Sequence, residues 1–326
     1  DYKVTGVQTC ALPICARFES RHKHRVVMLA LASSLAVGFL AWGLMVIPVP
    51  AGKAELLARY ERAVEDRAGL YAKGCHLFYF DTEPVPCTFG EISATRTVVL
   101  LGDSHAAQWF PALEALAMQH RWRLVTMTKA ACPALDLRTV NPALRREYVE
   151  CDAWRKAALR LIAALRPDLV VLTSASNYEP SPELRAAALR RLLDQLRDIS
   201  TAQVVLRDSP LPGFNVPSCL ARAAWRGQDG AQTCVFGRNA PAAWRDDQAR
   251  AEREQVAGMP TARYLDLSGA ICDTTRCPVE QAALVLFSDA HHLTAGFARA
   301  LAPAMERGLT DALGTAHPLL AADQAH

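Results

Sequence analysis

Three residue types in this chain, placed in two stretches, can do nucleophilic chemistry together. Ser104 lies in Gly102-Asp103-Ser104-His105, directly after the apolar run from Thr97 to Leu101. Asp289 and His292 lie far downstream in Phe287-Ser-Asp-Ala-His-His-Leu-Thr294, three positions apart. A serine hydroxyl is a weak nucleophile until a base takes its proton, and an imidazole is a dependable base only when a third group fixes its tautomer. Asp289 can turn back onto His292 within one loop, and His292 can then serve Ser104. Each residue also has a plainer reading. Asp103 or Ser104 can cap a helix, and a loop histidine can be a surface residue. His291 competes with His292, since both cannot point at Ser104 from one loop.

The elements that must position these residues read as alternating strands and helices. Thr97–Leu101 is a buried strand, Gly102 breaks it, and helical spacing runs from His105 to about His120 through Trp109, Leu113, Leu116 and Ala117. Ser104 therefore sits at a strand-to-helix turn, where free N–H groups and partial positive charge suit a developing oxyanion. Further strands are expected at 123–128, 168–173, 202–207 and 263–267. Helices are expected at 152–165, 181–198, 242–257 and 294–307, with Thr294 capping the last. Residues 72–96 and 208–241 read as loops, and the tail after 314 as frayed. Five strands alternating with helices make a parallel sheet covered on both faces, with ligands beyond the C-terminal strand ends.

The remaining segments bound the compartment. Residues 1–15 resemble the in-frame translation of a sequencing adapter, so they and their Cys10 and Cys15 are set aside. Residues 16–25 are basic, and the 22 residues from Val26 to Ile47 carry no charge. That length spans a bilayer as a helix, with the basic flank inside and everything after Pro50 outside; a signal peptide is the rival reading. Residues 51–96 read as a helical stalk followed by a loop, 97–312 as the catalytic domain and 313–326 as the tail. The net charge is only +3, and nothing points to nucleic acid. Eight cysteines remain, in four sequence-local couples: Cys75 with Cys87, Cys132 with Cys151, Cys219 with Cys234, and Cys272 with Cys277. An even set of this kind fits disulfides in an oxidising compartment. The alternative is zinc, but the cysteines lack CxxC and finger-like spacing, and no metal is expected.

Gly102-Asp103-Ser104-His105 with Trp109, followed by Asp289-x-x-His292-Leu-Thr294, resembles the SGNH hydrolase superfamily. More closely it resembles the SGNH domain fused to integral-membrane acyltransferases of the OafA-like type, which O-acetylate cell-envelope glycans. Thr128-Lys-Ala-Ala-Cys-Pro133, Arg207-Asp-Ser-Pro210 and the Cys272/Cys277 pair extend the likeness over about residues 70–310. The resemblance implies a flavodoxin-like three-layer α/β sandwich with a five-stranded parallel sheet. It makes Ser104 the nucleophile, His292 the base and Asp289 its orienter. The family's oxyanion glycine falls here on Ala130-Ala131, and alanine resists positive φ. Asn177 is the asparagine nearest the third strand, at a longer offset. Ala131 and Asn177 are therefore the oxyanion candidates beside Ser104's own N–H. Trp109 reads as core rather than a sugar platform, Lys129 and Arg207 as solvent-facing, and Asp208 as a loop hydrogen-bonder.

The implied function is transfer of acetyl or another short acyl group to a hydroxyl of a cell-envelope glycan. No cofactor is expected to be held by the chain. The acyl donor comes through a membrane acyltransferase domain missing upstream, ultimately from acetyl-CoA, and residues 16–50 are that domain's last helix. The implied location is the bacterial inner membrane with the catalytic domain in the periplasm. The alternatives are an SGNH carbohydrate esterase that removes acetyl groups and an inactive glycan-binding domain.

Overall fold

The computed structural model describes residues 13–46, 50–178, 181–238, 240, 245–315 and 317–320. Two compact units divide at Ala54 and Glu55. The first is built on helix α1 (Pro13–Val46). Within it Lys23–Gly43 is long and apolar enough to cross a membrane, with a mean hydropathy of 2.0. Residues 1–12 of the adapter-like segment, and Ile47 at the end of the expected span, lie outside the described residues.

The second unit is organised by a seven-stranded sheet. Its strands are β1 (His76–Leu77), β2 (Cys87–Gly90), β3 (Thr97–Gly102), β4 (Arg123–Lys129), β5 (Leu169–Thr173), β6 (Ala202–Leu206) and β7 (Ala262–Leu265). The order is β1-β4-β3-β5-β6-β7, all parallel, with β2 antiparallel to β4. The five expected parallel strands are all present. The two extra strands come from residues 72–96, read from sequence as a loop. Their two- and four-residue lengths carry too little periodicity to register, and the Cys75–Cys87 disulfide joins them.

The helices are α2 (Ala51–Glu65), α3 (Ser104–Ala107), α4 (Phe110–Gln119), α5 (Val149–Leu165), α6 (Pro182–Leu196), α7 (Val216–Trp225), α8 (Gly230–Thr233), α9 (Asp246–Val256), α10 (Ala295–Ala300) and α11 (Ala302–Leu313). Strand residues alternate between two cores, as a period of two demands. Val98, Leu100, Val171 and Val204 pack with Phe110, Leu113, Phe297 and Met305. Val99, Leu101, Val170 and Val205 pack with Trp154, Ile162, Leu189 and Leu192 on the other face. Helices thus cover both faces of the sheet.

Four expectations need correction. The helix expected from His105 to His120 breaks after Ala107, because Pro111 has no N–H to donate back to Ala107 and instead opens the next helix. The helix expected at 294–307 divides likewise, with Pro303 in the first turn of α11. The loop expected at 208–241 contains α7, capped by Asn215, whose Oδ1 accepts the Ser218 N–H at 2.9 Å. Pro217 stands in its first turn, where proline is tolerated. The tail beyond 314 is anchored: Leu319 is fully buried and its carbonyl accepts Trp122 Nε1–H at 2.9 Å. Residues 321–326 lie outside the described residues.

Residues 55–65 belong to the same unit as the sheet. Tyr60 and Ala63 are buried on it, and Arg59 pairs with Glu280. Asp66 receives the Ala295 and Gly296 N–H groups through its carbonyl and carboxylate at 2.9 and 3.0 Å.

Candidate active site

Ser104 begins at the C-terminal end of β3, the central parallel strand, between β4 and β5. In the order 2-1-3-4-5 of the five long strands, this is where the chain reverses its direction of winding, the place where sheets of this kind bind ligands. Gly102 is what lets the turn close. A Cβ there would stand 2.0 Å from the Thr173 carbonyl oxygen and 2.7 Å from the Ala106 Cβ. Asp103 then caps α3. Its Oδ1 accepts the His105 N–H at 2.8 Å and its Oδ2 the Ala175 N–H at 2.9 Å, so one carboxylate joins the ends of β3 and β5. Burial pushes the Asp103 carboxyl up, more than the charge of His105 and the Ala175 N–H pull it down. Because α3 is a single turn, the local N–H groups matter more here than a long helix dipole.

His292 and Asp289 reach Ser104 from the loop between β7 and α10. His292 Nε2 lies 2.9 Å from Ser104 Oγ, and His292 Nδ1 lies 2.7 Å from Asp289 Oδ2. The loop is self-braced: Asp289 Oδ1 accepts the N–H groups of His291 and His292, both at 2.8 Å. Burial works against ionising Asp289, but the hydrogen bond and charge of His292 and these two N–H groups hold it well below the usual carboxylate range. Thr294 caps α10, its Oγ1 accepting the Phe297 N–H at 3.3 Å. With the Nδ1–H of His292 donating to the Asp289 carboxylate, the His292 Nε2 lone pair faces the Ser104 hydroxyl.

A second carboxylate–imidazole pair stands beside the first. His105 Nδ1 lies 2.6 Å from Asp208 Oδ1, and its Nε2 lies 3.1 Å from His291 Nδ1. Asp208 also accepts the Ser176 N–H at 2.7 Å. Burial opposes charge on both partners. Mutual attraction overcomes it, pushing His105 up to about 8 and Asp208 below its ordinary value. His291 goes the other way, down to about 4, through burial and the neighbouring charges of His292 and His105. Asp208 is therefore more than the loop hydrogen-bonder read from sequence. The signal that could have found this pair is its placement at two strand ends, Asp208 after β6 and His105 after β3.

Ala131 has φ +51 and so adopts the left-handed conformation that alanine was expected to resist. The strain costs on the order of 1–2 kcal/mol, and the surroundings hold it in place. Cys132 is bonded to Cys151, the Tyr148 hydroxyl donates to the Ala130 carbonyl at 3.0 Å, and the Ala130 N–H is taken by the Leu77 carbonyl at 2.8 Å. Among the described residues the N–H groups of Ala131 and Ser104 have no acceptor. Asn177 is exposed and hydrogen-bonds to none of the described residues.

Other side chains differ from their sequence reading. Lys129 is fully buried rather than solvent-facing. Its ammonium donates to the carbonyls of Phe78, Tyr79 and Asp81 and so latches the loop after β1. Arg207 is paired with Asp266 at 3.0 Å and Asp246 at 2.6 Å. Trp109 is core, as expected. All four expected disulfides are formed. Gln108 was missed by sequence reading, because an amide in a helical turn carries no motif signal. Its Oε1 accepts the Leu293 N–H at 2.7 Å and its Nε2 donates to Ser209 Oγ at 3.0 Å.

A serine, an imidazole and a carboxylate stand in hydrogen-bonded sequence beyond the central strand of a parallel α/β sheet, and the fold and family are those of an enzyme of acyltransferase or esterase type. Residues 74–307 match the family described as SGNH domain (fused to AT3 domains), and the chain belongs to that family. No curated protein matches the chain significantly. Among solved structures it is similar to the periplasmic domain of a lipopolysaccharide acetyltransferase from Salmonella ser. Paratyphi A. That match has 15% identity over 78% of this chain and 98% of the other, with a TM-score of 0.54. It is also similar to a carbohydrate esterase family 2 enzyme from Corynascus thermopiles, with 12% identity, 68% and 67% coverage and a TM-score of 0.43. A catalytic mutant of an acetylxylan esterase from Geobacillus stearothermophilus matches with 14% identity, 67% and 96% coverage and a TM-score of 0.39.

Proposed function

We propose that the chain is the exported catalytic domain of a membrane O-acyltransferase, carrying an acetyl or other short acyl group on Ser104 and passing it to a hydroxyl of a cell-envelope glycan. The observation that carries this reading is the hydrogen-bonded row from Ser104 Oγ through His292 to Asp289, at 2.9 and 2.7 Å. His292 takes the Ser104 proton as Oγ attacks the acyl carbonyl. The N–H groups of Ser104 and Ala131 receive the oxyanion. Collapse of the tetrahedral intermediate leaves the acyl group on Oγ, with the leaving group protonated by His292. A sugar hydroxyl then loses its proton to His292, attacks the acyl-serine, and departs as the ester while Ser104 is re-protonated.

Membership of a family fused to AT3 domains supports delivery of the acyl group from a membrane partner, ultimately from acetyl-CoA. The apolar helix supports anchorage in the bacterial inner membrane with Ser104 on the periplasmic side. The relative from Salmonella, a lipopolysaccharide acetyltransferase domain, supports an envelope glycan as acceptor. Hydrolysis by water is the second reading. It is favoured by the partial exposure of the triad, since the side chains of His292 and Asp289 are 23% and 28% accessible.

The test uses the full chain in detergent with a small acetyl ester, with and without an oligosaccharide acceptor, beside Ser104→Ala. An acetylated Ser104 peptide and acceptor-dependent turnover, both absent in Ser104→Ala, are expected. Turnover indifferent to every acceptor would establish the esterase reading. Absence of both acetyl-serine and turnover in the unmutated chain would overturn both.

A further inference from the structure

Beside Ser104 three imidazoles converge. One ring nitrogen from each of His105, His291 and His292 lies within 4.8 Å of the others. Two of the three have Nδ1 on a carboxylate, His105 on Asp208 at 2.6 Å and His292 on Asp289 at 2.7 Å. A carboxylate on one ring nitrogen fixes the proton there and leaves a basic lone pair on the other, which is how metal-ligating histidines are usually held. One proton is shared between His105 Nε2 and His291 Nδ1, 3.1 Å apart, and the His292 Nε2 lone pair faces Ser104 Oγ. Tetrahedral metal bonds to imidazole nitrogen of ~2.0–2.1 Å set ligand nitrogens a little over 3 Å apart. The His105–His291 pair is already near that spacing, and His291 is only half-buried on a loop.

We propose that His105, His291 and His292 form a binding site for a late first-row divalent cation such as Zn2+, and that the bound ion switches Ser104 off. Three neutral nitrogens with an open fourth position suit zinc and its neighbours and reject Mg2+ and Ca2+, which require oxygen. Binding releases the proton shared between His105 and His291 to solvent and leaves both carboxylate contacts in place. It also occupies the Nε2 lone pair of His292, the one that must accept the Ser104 proton, so acylation stops. The fourth position opens toward Ser104 Oγ. The inhibitory half of the inference rests on the acyl-serine reading; the binding half does not.

The test is calorimetric titration of the full chain in detergent with Zn2+ and, separately, Mg2+. The expected result is one Zn2+ site of micromolar or tighter affinity and no Mg2+ heat. His291→Ala keeps both carboxylate pairs and is expected to weaken the site at least ~10-fold, whereas Ser104→Ala retains it. In parallel, acetyl-ester turnover is expected to fall with the midpoint of the binding curve and to return on chelation. Zn2+ affinity unchanged in His291→Ala, or no Zn2+ heat up to roughly 1 mM, would overturn the site. Binding lost in His291→Ala but without effect on turnover would overturn the switch. Zn2+ binding in a chain that never turns over acetyl ester would uphold the site and sink the enzyme reading instead.

Discussion

Gln108 and Leu293 are joined across the active site: the Gln108 Oε1 accepts the Leu293 N–H at 2.7 Å, one residue beyond His292. Gln108 is the residue immediately after the single turn α3 that begins at Ser104, and its Nε2 is held by Ser209 at 3.0 Å. The turn that begins at Ser104 thus fixes the backbone of the loop that carries His292 directly. Gln108→Leu removes the acceptor and leaves a buried N–H unpaired, at about 1–3 kcal/mol. Turnover of an acetyl ester should drop ~10- to 100-fold, the cost of a small misplacement of a catalytic group. Gln108→Glu keeps the acceptor and should retain more turnover. Steady-state rates with thermal melts check this, and equal rates in both variants and the unmutated chain would remove Gln108 from the positioning of His292.

Ala131 offers a test of the proposed second oxyanion donor. Glycine at this position relieves the left-handed strain, by about 1–2 kcal/mol, but loosens the unfolded chain by about 0.4–1 kcal/mol. Ala131→Gly should therefore melt close to the unmutated protein, or slightly above it, with turnover preserved. Ala131→Val adds a β-branched side chain at φ +51 and should lower both stability and turnover. Urea melts and rates on the same samples distinguish the two. A valine variant with full stability and full rate would mean that the turn is relaxed and the N–H dispensable.

Much of this arrangement was legible in the chain. The strand before Ser104 shows because Val98, Val99, Leu100 and Leu101 are buried on both faces and read as one apolar run. Asp289 and His292 show because their partnership is local. The cysteines paired as neighbours because each bridge closes a short loop. What sequence did not reveal is mostly non-local or too short. The His105–Asp208 bond spans 103 positions and the His105–His291 contact 186, and no spacing rule reaches across strand ends. Lys129 looked exposed because a lysine at a strand end usually is. Here three carbonyls of one loop take its three protons.

Acid should destabilise the fold through His76. This histidine is buried at the start of β1, with Nδ1 3.0 Å from Thr128 Oγ1 and its ring 4.6 Å from that of Tyr71. Burial, then the charges of His292 and Lys129, push it down to about 3 from an ordinary 6.5. A base whose folded value is depressed binds its proton more readily when unfolded. Its contribution is therefore complete above about pH 6.5 and is lost as pH falls from 6.5 toward 3. The slope is at most ~1.4 kcal/mol per pH unit for this one group. Asp289, also held low, adds loss in the same direction toward the acid end. Denaturant melts between pH 7 and 4 should show His76→Gln with a shallower acid slope than the unmutated chain. Parallel slopes would remove His76 from the acid response.

The disulfides should separate into one that supports the site and one that supports only the fold. Cys132–Cys151 closes 19 positions and ends beside the strained Ala131 turn, joining it to the first turn of α5. Cys272–Cys277 closes 5 positions around a turn in which Asp273 accepts the Thr275 and Arg276 N–H groups. Loop-closure entropy predicts about 3 kcal/mol for the first and about 2 kcal/mol for the second. Stability alone therefore barely distinguishes them. Turnover should: the Cys132→Ser/Cys151→Ser pair frees the loop that carries the Ala131 N–H and should lose up to ~10²-fold, the low end for one oxyanion donor. The Cys272→Ser/Cys277→Ser pair should lose stability with little change in rate at a temperature where both are folded. Melts establish that temperature, and acetyl-ester rates measured there decide the matter. Equal rate losses in the two pairs would mean that the bridges act through global stability and that Ala131 needs no anchor.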